Sequence, residues 1–300
     1  MRPTVGIVIL NWNKADETIG CLEAVEKLAY DSFSVTVVEN GSYDDSLQRL
    51  KARFPTLDVL ALPRNVGYAR AVNIGWLAQQ STGVDYLLQI DNDARPAPDM
   101  LSRMVAAMEA DPQLAIVGPL IYRRDQQAQI AAIGGRMTRR RVVTMAENEP
   151  DRGQYAGQER ILLDFVFGCG LMARRRVIDE LGLFDQRFFL YYEDLDLCIR
   201  ARQRGYKVAC IPAAHLWHQG AVSAQGAHYH KDFFFAQSRI RFFRKHLNRR
   251  NYWLFALAEA RYLASILLRR LARGDTSGAR AYGEGAIREL FRTTPITDNR

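Results

Sequence analysis

The sequence predicts an α/β fold in which a mostly parallel central sheet carries flanking helices and is followed by a helical C-terminal extension. Three observations lead there. Short β-branched apolar runs alternate with helix-like stretches over residues 4–109, polar residues collect just after each run, and the positive charge is confined to one late segment. With 48% hydrophobic and 25% charged residues in 300, the chain can bury a sizeable core, which excludes a disordered or fibrous protein. Cys21, Cys169, Cys198 and Cys210 have neither metal-type nor framework spacing, which rules out a zinc ribbon, argues against a disulfide-built secreted module and makes a reducing compartment the default.

Residues 4–10 form a nearly continuous apolar run, as in a strand buried on both faces, and Asn11, Asn13 and Lys14 lead from it into a helix over 16–28. A second strand, 34–39, ends at Asn40, Gly41 and Ser42, with Asp44 and Asp45 placed to open the next helix. The third, 57–62, ends at Arg64, Asn65 and Gly67 before a helix over 68–80. The fourth, 86–90, runs into Asp91, Asn92 and Asp93. A helix over 100–109 and a strand over 115–122 follow, then an irregular polar region to about 157. Residues 162–173 read as one strand-like run whose Gly168, Cys169 and Gly170 leave room for a ligand. A helix over 175–181 precedes the acidic block, and a strand over 208–211 leads to Pro212 and the HLWHQG stretch. Ligands of open α/β sheets bind beyond the carboxyl ends of the strands, where these polar residues gather. The first strand lacks the glycine fingerprint of a dinucleotide binder, which argues against an NAD enzyme.

Asp91 and Asp93, two residues apart after a buried strand, can turn both carboxylates to one side and hold Mg²⁺ or Mn²⁺, or can simply close an Asx-type turn. Glu193, Asp194 and Asp196 precede Arg200 and Arg204, so the cluster supplies either a base toward a hydroxyl or a helix cap with ion pairs four residues apart. His215 and His218 carry no zinc signature, and one of them can join the two aspartates around a hard cation or serve structure. Trp12, Tyr68, Tyr191 and Tyr192 can shape sugar pockets or pack, and the sequence does not separate these roles.

Taken in order, VGIVILNWN, VVENGSYDDS, LPRNVGYARAVNIG, LLQIDNDARP, the block from FVFGCG to ARQRGY, and HLWHQGAVS resemble the inverting family 2 glycosyltransferases of the GT-A fold, in particular the rhamnosyltransferase-like branch. The resemblance covers residues 3–245 and implies a catalytic domain over 1–228 and a basic amphipathic extension over 229–300. It implies a metal-dependent transfer of a sugar, rhamnose from dTDP-rhamnose first and a UDP sugar next, to a hydroxyl of a glycan or lipid-linked glycan by single displacement. By resemblance, Asp91, Asp93 and His218 are the metal site and Asn92 lies within the nucleotide-sugar site. Asp194 is the base with Glu193 its competitor, and Gly168 and Gly170 close over the sugar side. Asn11, Glu39, Arg64, Asn65, Gly67 and Asn73 line the nucleotide pocket, Glu39 standing where the family commonly has Asp. Gln219, Gly220 and Ser223 make His218 a better match than His215 for the family histidine. A nucleotidyltransferase and a noncatalytic carbohydrate-binding protein are the alternatives. The first is opposed by the missing glycine-rich basic loop and the second by the intact acidic residues.

The formal charge of +8 is uneven: residues 230–273 carry eleven Lys or Arg against two acids, a local +9 that leaves the rest of the chain at −1. These charges interleave with FFF, IRFF, NYWLFALA and YLASILL, the pattern of helices on an anionic membrane surface more than of core helices or a nucleic-acid face. The basic stretch 136–141 is expected to be a solvated loop or hairpin. No apolar run reaches the roughly 18 residues needed to span a bilayer. With no signal peptide expected either, the chain is expected on the cytoplasmic face of a membrane.

Overall fold

The computed structural model describes residues 2–138, 141–220 and 228–291, with the side chains of 228 and 229 left aside. Ser223, part of the basic 136–141 stretch and the last nine residues lie outside the described residues.

The chain divides into two compact units. The first, residues 1–136, 143–187 and 193–220, is built on a mixed sheet. Strand β1 (Val5–Asn11) lies between β2 (Phe33–Glu39) and β4 (Tyr86–Asp91), with β3 (Asp58–Ala61) outside β2, and all these pairings are parallel as expected. Crossovers are made by α1 (Ala15–Val25), α2 (Ser46–Arg53) and α3 (Tyr68–Ser81). Val5, Ile7 and Ile9 share a buried cluster with Cys21, Leu22 and Val25 of α1, whereas Val8 faces Gly75 of α3, so β1 is apolar on both faces because both are covered.

Beyond β4 the sheet departs from the parallel expectation. A short β5 (Ala94–Pro96) and α4 (Met100–Ala110) are followed by β6 (Leu114–Arg123), and the region expected to be irregular holds four short strands. These are β7 (Gln129–Ala132), β8 (Gly134–Met137), β9 (Val142–Met145) and β10 (Glu149–Pro150). Polar, strand-poor composition hid them because they are two to four residues long and lie at or next to a sheet edge or in a separate hairpin. The single run expected over 162–173 is two strands, β11 (Ile161–Leu163) and β12 (Gly170–Arg174), and the latter enters antiparallel between β4 and β6. After α5 (Arg175–Leu181) and α6 (Glu193–Gln203), β13 (Lys207–His218) runs on past Pro212. A register shift between Ile211 and His215 absorbs the proline as a bulge, where its missing N–H costs no ladder bond.

The registers set the site. Asn11 pairs with Glu39, Leu10 with Asp91, and Ile90 with Gly170, so the carboxyl ends of β1, β2 and β4 meet the start of β12 at one edge. On the neighbouring strand pair His218 lies opposite Ala94, directly after Asp93. Gly41, at φ +67°, lets the turn after β2 approach the Arg64 backbone, where a Cβ would sit 2.3 Å from its nearest atoms. All four cysteines are free and buried; burial pushes the Cys21 thiol up to about 12 and raises the other three as well.

Among the described residues the second unit comprises 137–138, 141–142, 188–192 and 228–291, and contains α7 (His228–His246), α8 (Arg249–Ala272) and α9 (Thr276–Leu290). Ala236 and Ile240 of α7 pack with Tyr282 and Ala286 of α9. Arg241 is paired with Glu289 inside this core, and Arg239 binds both oxygens of Glu259 at 3.0 Å while lying over the rings of Phe243, Phe255 and Tyr262. Tyr191 and Tyr192 both have positive φ, and their rings pack on Phe235. No helix among the described residues is long and apolar enough to cross a membrane.

Candidate active site

Asp91 ends β4 and Asp93 lies in the turn to β5, which places both carboxylates beside the end of β13. His218 Nε2 is 3.0 Å from Asp93 Oδ1 and 3.5 Å from Asp91 Oδ2. Burial works against the charged imidazolium, but the two carboxylates outweigh it and push His218 up to about 10. A shared cation therefore already suits this position. The donor atoms of the three residues lie within 4.8 Å of one another, and two carboxylates with one imidazole match the preference of Mg²⁺ or Mn²⁺ for hard ligands. His215, three residues earlier on the strand, points away from the cluster and meets the ring of Tyr122 edge-on.

Tyr68, the first residue of α3 after the Gly67 cap, donates its hydroxyl to Asp91 Oδ1 at 2.6 Å. On the far side stands Asp194. Its Oδ2 accepts from the Gly168 N–H and its Oδ1 from the Leu195 N–H, both at 2.8 Å, so the carboxylate is held in one orientation. Burial pushes Asp194 up to about 6, against the pull of those two N–H groups. Burial and then the neighbouring Asp194 drive Glu193 well above the usual carboxylate range, and its Oε2 has no partner among the described residues. A Cβ at Gly168 would lie 3.4 Å from the Tyr68 hydroxyl and 3.5 Å from Asp194 Oδ2. Gly168 thus marks the space between Tyr68, bound to Asp91, and Asp194. The Asp196–Arg200 ion pair expected from the spacing is present, and Arg200 also caps the backbone of residues 181–183.

The remaining expected pocket residues divide. Asn11 accepts from Thr18, which in turn accepts from Asn92, tying the ends of β1 and β4 together. Glu39 is buried and accepts from both the N–H and hydroxyl of Ser42. Asn65 accepts from Asn40 and from the Gly67 N–H, while Arg64 is exposed beside the Gly41 turn. Two residues turn no free atom toward this edge, although Gly170 begins β12 there. Asn73 is buried with both amide atoms bound to the Phe184 backbone at 2.8 and 3.0 Å, and the Cβ direction of Gly170 is filled by Leu216 and Pro119 at 2.9 Å. Sequence reasoning left Tyr68 undecided. Its position just inside a glycine-capped helix facing the strand ends was the available signal.

A parallel half-sheet that gathers acidic side chains at its carboxyl edge, with an antiparallel strand delivering a glycine loop and a second carboxylate, is the architecture of a GT-A-type glycosyltransferase. The chain matches the model of Glycosyl transferase family 2 over residues 6–182 and belongs to that family. The N-acetylglucosaminyl-diphospho-decaprenol L-rhamnosyltransferase of Mycobacterium tuberculosis is 27% identical over 214 residues, 63% of this chain and 67% of the relative. The dTDP-rhamnosyl transferase RfbF of Shigella flexneri is 23% identical, with 73% and 70% covered. The fold is shared with a mannosyltransferase, PcManGT, from Pyrobaculum calidifontis, solved with GDP-Man and Mn²⁺. Its TM-score is 0.61 at 17% identity, over 98% of this chain and 89% of that one.

Proposed function

We propose that this chain transfers a sugar, rhamnose from dTDP-rhamnose in the first instance, to a hydroxyl of a glycan or lipid-linked glycan with inversion. The observation that carries the proposal is Asp194, a carboxylate buried, oriented by two N–H groups and tuned to about 6, across Gly168 and Tyr68 from the Asp91–Asp93–His218 cluster. A base tuned near neutrality can be ionised at pH 7 and still accept a proton well. Asp194 takes the proton of the acceptor hydroxyl while that oxygen bonds to the anomeric carbon and the bond to the diphosphate breaks on the opposite face. No side chain needs to form a covalent sugar intermediate. Asp91, Asp93 and His218 would hold Mg²⁺ or Mn²⁺, whose charge neutralises the departing diphosphate when bound. Asn11, Glu39, Arg64 and Asn65 border the nucleoside side, and Glu193, whose carboxyl burial holds well above the usual range, stands beside the base. The rhamnose assignment is supported by the two related rhamnosyltransferases.

The α8 surface supports a lipid-proximal acceptor. Trp253, Leu257, Leu268 and Leu271 are exposed along one stripe, and Arg261, Arg269 and Arg273 are nearby in the sequence. Donor binding and hydrolysis across dTDP, UDP and GDP sugars, with and without Mg²⁺ or Mn²⁺, test the function. Metal-dependent selection of one donor, lost in Asp91→Ala and Asp93→Ala, is expected; no nucleotide-sugar binding by the folded protein in any metal condition would overturn it.

A further inference from the structure

The cluster of Asp91, Asp93 and His218 is held by a device that none of its own side chains belongs to. Arg124 follows the last residue of β6, and its backbone N–H donates to the His218 carbonyl at 3.0 Å. Its guanidinium turns the other way, donating to the Asp93 carbonyl at 3.4 Å and gripping both oxygens of Glu17. Glu17 lies in the first turn of α1 and also binds Arg95 at 3.1 Å, and Arg95 donates to the carbonyls of Asn92 and Ala94 at 3.3 and 2.9 Å. Two arginines joined by one glutamate therefore hold three successive carbonyls of the turn that carries Asp93. Gly20 makes room for this, since a Cβ there would lie 2.3 Å from the Arg95 guanidinium. One and four residues along α1 from Glu17, Thr18 accepts from Asn92, and the Cys21 thiol lies 3.5 Å from the Asp91 carbonyl. The Glu17, Arg95 and Arg124 side chains are about a quarter exposed, so this network is partly shielded from water.

We infer that Arg124, anchored by Glu17, is a positioning residue that sets the separation of His218 from Asp93 and thereby the affinity of the cluster for a divalent cation. The inference rests on the reading of those residues as metal ligands. His218 ends β13 and Asp93 lies in the turn before β5, and the two are joined locally by the short β5–β13 pairing. Arg124 bonds the backbone of both. Outer-shell partners of metal ligands are typically worth about 10- to 100-fold in metal affinity. Lysine, with one head group in place of a fork, can reach Glu17 or the Asp93 carbonyl but not replace the bidentate grip.

The test is Mn²⁺ titration of the full chain, alone and with dTDP, read by the paramagnetic signal of free Mn²⁺, with thermal unfolding in parallel. Arg124→Gln is expected to weaken Mn²⁺ binding about tenfold or more, Arg124→Lys to recover part of it, and Glu17→Gln to fall between wild type and Arg124→Gln. Adding Glu17→Gln to Arg124→Gln should cost little further affinity, because the two act as one unit. A folded Arg124→Gln protein whose Mn²⁺ affinity stays within about threefold of wild type overturns the inference, whatever its melting temperature. Should that variant not fold, Glu17→Gln carries the same criterion. Failure of the wild-type protein to bind Mn²⁺ under either condition overturns the metal reading itself, a different result from a wild type that binds and a variant that binds equally.

Discussion

Asp194 must be ionised to take a proton, and burial has moved its protonation from about pH 4 up to about 6. Below that value the acid form predominates and the transfer rate should drop about tenfold per pH unit; above it the rate should level off. A pH profile of turnover at saturating donor checks this, and Asp194→Asn should remove the limb along with about 10²- to 10⁴-fold of the rate. Asn73 makes the opposite kind of prediction. Both its amide atoms satisfy the buried Phe184 backbone, so Asn73→Ala should cost about 2–4 kcal/mol by orphaning a donor and an acceptor. Thermal unfolding should register that loss while the dissociation constant for nucleotide stays unchanged. That Asp91 and Asp93 come together was legible because carboxylates two apart after an apolar run share a side, whereas His218 was reached only through the family resemblance. Asn73 was not legible, because its partner is 111 residues away and nothing local distinguishes a backbone clamp from a ligand contact. Arg124 was invisible for the same reason, its glutamate being 107 residues distant.

Two glycines, one in the turn before β12 and one at its start, separate the work of space from the work of packing. At Gly168 an added methyl finds ordinary contact distances but occupies the space between Tyr68 and Asp194, so Gly168→Ala should keep its melting temperature and lose turnover. At Gly170 the methyl would press on Leu216 and Pro119 at 2.9 Å, so Gly170→Ala should lose about 1–3 kcal/mol of stability. Calorimetry and donor turnover on both variants check the contrast. The parallel strands β1 to β4 were legible in the sequence, since each is an apolar run followed by turn residues and a helix. The entry of β12 between β4 and β6 was not, because antiparallel insertion depends on which edge is open rather than on the strand's own residues. The continuation of β13 beyond Pro212 was hidden by a residue that ordinarily ends strands and here sits in a bulge.

The two units differ in what holds them. The first rests on a continuous apolar cluster, whereas the second places buried guanidinium–carboxylate pairs between its helices. Glu289→Ala would leave Arg241, only 4% exposed, without its buried carboxylate, at a cost of about 3–5 kcal/mol. Scanning calorimetry should show that loss in the transition belonging to the C-terminal unit. Substituting the exposed stripe has no such cost, so Leu257→Asp with Leu268→Asp should keep the melting temperature and abolish co-sedimentation with phosphatidylglycerol vesicles. The concentration of charge in this segment was legible from composition alone. Which arginines are spent inside the unit and which face outward was not, because the pairs join different helices.

The four buried thiols offer a further use. A maleimide or an iodoacetamide reacts with an accessible thiolate, and here each cysteine is both enclosed and held as the thiol. The native chain is therefore chemically silent toward such reagents while folded, and a single cysteine placed at Trp253 would be the one handle a fluorophore finds. An environment-sensitive dye there would report the depth of α8 at a bilayer in a protein with every other residue left as nature made it.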